Sequence, residues 1–379
     1  MNKRHELGAS QRWVIKFGSS LVTKEGCGLN HPAIEDWMRQ VALFKEQQRK
    51  VALVSSGAVA EGMNRLGWIR RPDSLHDLQA AAAVGQMGLV RAYEMALSHH
   101  GHHSAQILLT HEGLTDRARY LNARTTLRTL LDLGVIPVVN ENDTVSTQEL
   151  QLGDNDTLAA LVANLIEADL MVILTDQSGL FDKDPNVDTN ARLIEEAWID
   201  DPALDGYAGQ GQGRLGRGGM RTKIEAARIA ARSGTHCLIA NGAEPDILRR
   251  IAEGEACGTL LAPRDEPLSA RRQWIAGLLR GDGCLHVDAG AERALRAGKS
   301  LLPVGVTEVG GAFLPGDVVR VLTEQGREIA RGIVNYAADD ARRIRGHRSE
   351  ELDTILGVVG EPELIHRDNL CPLWETVDS

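Results

Sequence analysis

Apolar residues fall into two textures along this chain. From Arg12 to about Ala262, short continuously apolar runs alternate with longer stretches in which apolar side chains recur every three or four positions. The runs are Trp13–Phe17, Val51–Val54, Gln106–Leu109, Val135–Val139, Leu170–Leu174 and Cys237–Ala240. Runs this short, without polar alternation, predict parallel strands buried on both faces. Helices are predicted between them. One opens at Asn30 and Pro32, a cap and a first-turn proline, and carries Ile34, Trp37, Met38 and Val41. Others run through Leu78–Leu97 and Ala118–Leu133. This order predicts an α/β domain with a doubly wound, mostly parallel sheet, whose ligands bind beyond the carboxyl ends of the strands.

After Trp274 the texture changes. Strand-like pieces at Cys284–Val287, Val304–Val309, Val318–Leu322 and Ile329–Val334 are separated by glycine and proline turns. The intervening segment Pro263–Arg272 holds two prolines and five charged residues and reads as a linker. The expected organisation is an α/β domain over residues 1–262, a linker over 263–279, a small β-rich barrel-like domain over 280–360 and a C-terminal tail over 361–379.

Composition narrows the class. A length of 379 residues favours two domains, and 43% hydrophobic with 25% charged residues is ordinary for a globular protein. No apolar run approaches the roughly 20 residues of a membrane helix. The polar N-terminus lacks a signal-peptide core, so cytoplasmic residence without membrane contact is the expectation. Cys27, Cys237, Cys257, Cys284 and Cys371 are scattered, with no Cys-x-x-Cys, which argues against a zinc ribbon or a disulfide framework. A net charge of −10 disfavours non-specific binding to nucleic acid or anionic lipid.

The candidate chemistry gathers at strand ends. Lys16 closes the first run and precedes Phe17-Gly18-Ser19-Ser20, a lysine beside a glycine turn that can meet phosphate oxygens. Ser55-Ser56-Gly57-Ala58 follows the second run and enters a helix, which suits an anion or supplies a cap. Two polar clusters follow, Asn140-Glu141-Asn142-Asp143 and Gly153-Asp154-Asn155-Asp156. Such clusters can grip an ammonium group, order a cation-bound phosphate or cap a helix, and they exceed what one cap needs. They lack the spacing of an EF-hand loop. Thr175-Asp176 ends the fifth run. A glycine-rich stretch then leads into Met220-Arg221-Thr222-Lys223 at a helix start, the layout of a mobile phosphate clamp. Its Gly211-Gln212-Gly213-Arg214-Leu215-Gly216 matches a dinucleotide fingerprint only formally, because no strand precedes it. His99-His100 and His102-His103 read as a solvated helix end.

In this order the motifs resemble the amino acid kinase family, and within it the branch that phosphorylates the γ-carboxylate of glutamate and carries a C-terminal PUA domain. Leu121-Asn122-Ala123-Arg124 and Arg342-Arg343-Ile344-Arg345-Gly346 add to the likeness. The resemblance implies L-glutamate and ATP as substrates, Mg²⁺ carried with ATP rather than a dedicated metal site, and L-glutamyl 5-phosphate as product, at the first step of proline biosynthesis. It also implies feedback inhibition by proline and a homo-oligomer, a dimer or tetramer. By the same resemblance Ser56, Asp143 and Asn155 bind glutamate. Lys16, Thr175, Asp176, Arg217, Gly218, Gly219, Met220, Arg221, Thr222 and Lys223 contact ATP. Lys16 and Lys223 stabilise the transferring phosphoryl group, and Asp156 holds the lysines. Arg217 stands where the family's glycine loop usually has threonine. PUA domains in other proteins bind RNA, but residues 275–379 carry 12 Lys and Arg against 17 Asp and Glu. RNA affinity draws on phosphate neutralisation, so little is expected. The alternatives are another carboxylate kinase, such as an aspartate kinase, and a non-catalytic RNA-binding regulator.

Overall fold

Strand β1 (Arg12–Phe17) sits inside the larger sheet and pairs in parallel with β2 (Lys50–Val54) on one side and β5 (Leu170–Thr175) on the other. Trp13, Val14, Ile15 and Phe17 are fully buried, which is why the run carries no polar alternation. The computed structural model describes residues 4–24, 28–145, 155–185, 187–207, 219–264, 283–357 and 361–373. Beyond β2 lie β4 (Ile136–Glu141) and β3 (Ser104–Leu109). Beyond β5 lie β7 (His236–Asn241), β8 (Thr259–Ala262) and β6 (Glu196–Trp198). The order is β3-β4-β2-β1-β5-β7-β8-β6, parallel throughout except between β7 and β8. The chain leaves β1 towards β2 and later returns to its other side at β5. The carboxyl end of β1 is therefore a switch point of the kind where open α/β sheets bind ligands.

Each predicted run falls on one of these strands, with Val135 just ahead of β4, and β6 and β8 are additional; β3, at the sheet edge, is not buried on both faces as expected, and Leu108 is exposed. Helices form where the periodicity predicts them, at His31–Glu46, Leu75–Ser98 and Arg117–Asp132. Asn30 occupies the cap position with proline in the first turn, but its side chain makes no capping bond. Its Nδ2 donates instead to the Leu21 carbonyl at 3.3 Å, tying the helix start to the segment after β1.

The helix Ala58–Leu66 starts directly after the Ser55-Ser56 turn and packs on Leu75–Ser98 with backbones nearly touching. A Cβ at Gly85 would lie 1.9 Å from the Ala58 carbonyl oxygen, and one at Gly62 would lie 1.7 Å from that of Ala81. Only glycine fits either place.

The chain divides into two compact units: Met1–Thr115 with Ala123–Asp265, and Asp116–Asn122 with Glu266–Ser379. The second holds a five-stranded sheet of order β10-β9-β11-β12-β13. Its strands are β9 (Cys284–Val287), β10 (Val306–Gly310), β11 (Val318–Thr323), β12 (Glu328–Ile333) and β13 (Leu370–Pro372). Leu285, Val287, Val319, Val321 and Ile365 contribute to a core of its own. The expected strand Val304–Val309 starts later, because Pro303–Gly305 forms a 3-10 turn. Val334 lies just past the end of β12. Strand β13 pairs antiparallel with β12, so residues after 360 complete this sheet.

Candidate active site

Three strand ends meet at the switch point. Lys16 pairs with Val54 of β2 and Ile173 of β5, which sets its side chain between the Ser55-Ser56 turn and Thr175. The turns are held by backbone bonds: Ser55 N–H donates to the Val139 carbonyl at 2.9 Å, and Gly18 N–H to the Leu174 carbonyl at 2.9 Å. Gly57 adopts φ +100°, a left-handed conformation that turns the chain sharply into the Ala58–Leu66 helix.

Asp156 lies in the first turn of the helix Asn155–Ile166 and is 1% exposed. One carboxylate oxygen meets Lys16 Nζ at 2.5 Å and the other meets Lys223 Nζ at 3.0 Å. Lys223 reaches it from the first turns of the helix Met220–Ala231, and the Thr222 hydroxyl, 2.8 Å from the Gly219 carbonyl, lies 3.3 Å from the same oxygen. Both lysines are buried at 6% exposure. Burial alone would raise the Asp156 carboxyl, but the charges and hydrogen bonds of Lys16 and Lys223 outweigh it and hold the group well below the usual range. One carboxylate between two ammonium groups leaves a net positive charge at the ends of β1 and β5. Charge in so dry a place is costly unless an anionic ligand completes it.

A second group of polar atoms adjoins this ion cluster. Asn155 Nδ2 donates its two hydrogens to the Ser55 carbonyl at 2.6 Å and Asn140 Oδ1 at 3.0 Å, and Ser56 Oγ shares them at 3.1 Å. Ser55 Oγ lies 2.8 Å from the Tyr93 hydroxyl, and burial pushes that phenol up, the Ser55 bond opposing it. Neither serine caps the helix that follows: Gly57 is at the cap position, with no side-chain bond. The cap reading of Ser55 and Ser56 is thus replaced by roles as anchor and wall. Asp143 lies, half-buried, in the turn after β4.

The remaining predicted residues divide. Thr175 ends β5, buried, with its hydroxyl on Asp176 Oδ1 at 3.2 Å, and Asp176 is exposed. Gly219 caps the helix on which Met220, Arg221, Thr222 and Lys223 lie, and Arg221 pairs with Glu225 at 3.0 Å, away from the ion cluster. Arg217, Gly218 and, from the second polar cluster, Gly153 and Asp154 lie outside the described residues. Among the described residues no group of His, Cys, Asp and Glu is arranged to hold a metal ion, and both Asp156 oxygens are taken by lysines.

Residues 11–241 match the model of the amino acid kinase family, and residues 283–356 match that of the PUA domain. The chain belongs to the amino acid kinase family. It is 62% identical to the glutamate 5-kinase of Thioalkalivibrio sulfidiphilus (strain HL-EbGR7) over 97% of its own length and 98% of the relative's. It is 58% identical to that of Nitrosococcus oceani and 57% identical to that of Methylococcus capsulatus, over 97% and 98% of this chain and 99% of each relative. This amino acid kinase therefore runs nearly end to end with relatives carrying one name. Sequence reasoning missed two side chains of its site, Gln86 and Tyr93. Both lie on the Leu75–Ser98 helix, far from any strand end in sequence, and nothing in its apolar spacing marks them.

Proposed function

We propose that the chain transfers the γ-phosphoryl group of ATP to the γ-carboxylate of L-glutamate, giving L-glutamyl 5-phosphate and ADP at the first step of proline biosynthesis. The observation that carries this reading is the buried Lys16–Asp156–Lys223 cluster beside the Ser56, Asn140 and Asn155 side chains, in a chain 62% identical to a glutamate 5-kinase. A carboxylate is ionised at neutral pH, so the attacking oxygen needs no general base. Catalysis then rests on alignment and on neutralising charge that develops on the transferring group.

Ser56, Asp143 and Asn155 bind the amino acid. The Asp143 carboxylate suits the ammonium group, and Ser56 and Asn155 supply a hydroxyl and an amide. Thr175, Asp176 and the segment 217–223 contact ATP. Lys16 and Lys223 approach the phosphoryl oxygens with the ammonium hydrogens that Asp156 leaves over. Mg²⁺ arrives on the phosphate oxygens of ATP and supplies further charge neutralisation there. Proline competes at or across the glutamate site. The chain works as a homo-oligomer, for which the exposed Val84, Met87 and Met95 on one helix are the supporting observation.

The test is a hydroxamate assay with Mg-ATP and glutamate on the folded protein. Glutamate-dependent product, lost with EDTA and reduced by proline at low glutamate, is expected. Preference for aspartate would replace the substrate assignment. No phosphoryl transfer together with tight, salt-sensitive RNA binding would favour the regulator reading. Light scattering on the eluting protein checks the oligomer.

A further inference from the structure

The amide groups beside the ion cluster form a chain with one direction. It starts at the Ser55 carbonyl, which can only accept a hydrogen bond. Asn155 must therefore present Nδ2 there, at 2.6 Å, and the same Nδ2 faces Asn140 Oδ1 at 3.0 Å. The planar amide then carries its own Oδ1 on the far side, as an acceptor. Because Asn140 Oδ1 is turned to Asn155, its Nδ2 is turned the other way and donates to Gln86 Oε1 at 2.8 Å. If the Gln86 amide were reversed, two NH₂ groups would face each other. The direction set by one carbonyl thus fixes three side-chain amides in series.

At the far end, Gln86 Nε2 is buried and has no hydrogen-bond partner among the described residues. A buried donor without a partner costs free energy, and a methionine or leucine of similar volume would avoid it. Gln86 is half-buried on the Leu75–Ser98 helix, immediately after Gly85, whose contact with the Ala58 carbonyl fixes the helix against the Ser55-Ser56 turn. The helix is thus clamped where Gln86 leaves it. An amide that costs stability, held in place and aimed at Asn140, points to a role in the site.

We propose that Gln86 is a positioning residue for glutamate binding. Its Oε1 holds Asn140, and through Asn140 it holds the Asn155 amide with the oxygen turned outward to accept from the substrate's ammonium group. This rests on the reading of Asn155 as a glutamate ligand. Gln86 itself touches neither the phosphoryl group nor the ion cluster, so its effect belongs in the glutamate KM and not in the chemical step.

The experiment is a double-mutant cycle on the full chain with Gln86→Met and Asn140→Ala, read as KM for glutamate, KM for ATP and kcat, with Asn155→Ala alongside. Gln86→Met is expected to raise the glutamate KM by about 5- to 20-fold, the loss of one oriented hydrogen bond, with ATP KM and kcat nearly unchanged. In the Asn140→Ala background the same change should add almost nothing, because the route is already cut. Full additivity, or a change confined to kcat or ATP KM, overturns the proposal. A raised glutamate KM in Asn155→Ala with none in Gln86→Met overturns this proposal alone. An unchanged glutamate KM in Asn155→Ala removes the reading of the site and the proposal with it. Should Asn140→Ala be too slow to assay, the rise in melting temperature on adding glutamate serves in its place: Gln86→Met must shrink it in the wild-type background only.

Discussion

Lys16→Ala and Lys223→Ala each remove one of the two ammonium groups that Asp156 holds at the ends of β1 and β5. Each is expected to lower kcat by about 10²–10³-fold, the loss typical of one preorganised charge donor, with a smaller change in glutamate KM. Steady-state kinetics with both substrates varied decides it; a pure KM effect would contradict their role. Asp156→Asn acts on stability as well. It leaves two buried ammonium groups without a counter-charge, a change that costs about 3–5 kcal/mol in comparable buried pairs. The Asp156 carboxyl lies below its unfolded value in the folded chain. Its stabilisation is therefore complete above about pH 4 and is lost as pH falls towards the folded value. Thermal melts from about pH 5 down to about pH 3 should show a steep loss in the wild type and a shallower one, from a lower start, in Asp156→Asn. Parallel curves would mean the carboxylate does not contribute this way. Ser56→Ala should raise the glutamate KM several-fold and spare the ATP KM, as loss of a single hydroxyl contact does. Much of this site was legible in the chain, because charged and amide residues at ends of apolar runs have few structural uses. The Asn140–Gln86 contact was not: it joins residues 54 positions apart through a tertiary approach that no local spacing records.

The element that orders this wall is the close pair of helices Ala58–Leu66 and Leu75–Ser98. In a single helix Gly85 reads as a weak point, about 1 kcal/mol worse than alanine. In the folded chain alanine is the worse residue, since its Cβ would meet the Ala58 carbonyl oxygen at 1.9 Å. Gly85→Ala should force the helices apart, destabilise the chain by about 1–3 kcal/mol and lower its melting temperature. Because Ala58 follows the Ser55-Ser56 turn directly, the folded variant should also bind glutamate more weakly. A raised melting temperature would show that propensity outweighs contact. The short apolar runs were legible as strands because burial on both faces leaves few polar positions; β3, at the edge of the sheet, keeps the apolar run without that burial. Strands β6 and β8 were not, being three and four residues long. Asn30 was legible as a helix start but not as the tie to Leu21, since a cap position fixes the backbone and leaves the side chain free to choose a partner.

At the scale of the molecule the chain divides between Asp265 and Glu266, ahead of the change of texture after Trp274, and Asp116–Asn122 groups with the second unit, which no change of texture marks. The last strand of the second unit was hidden by its sequence, Leu370-Cys371-Pro372, which is short and ends in proline. An edge strand tolerates proline because one of its sides needs no ladder partner. The excess of acidic over basic residues from 275 onward predicts no appreciable RNA binding even at low salt. An electrophoretic shift assay in low-salt buffer should show free RNA at micromolar protein, and a salt-sensitive shift would contradict the charge argument.

The uneven count of two ammonium groups to one carboxylate has a practical side. A doubly charged tetrahedral oxyanion resembles the γ-phosphate in charge and shape, and can meet the ammonium hydrogens of Lys16 and Lys223 that Asp156 leaves over. Sulfate and inorganic phosphate should therefore behave as competitors of ATP, while chloride at equal ionic strength should not. Preparations stored in ammonium sulfate or assayed in phosphate buffer would under-report nucleotide affinity, and exchange into a zwitterionic buffer should restore it.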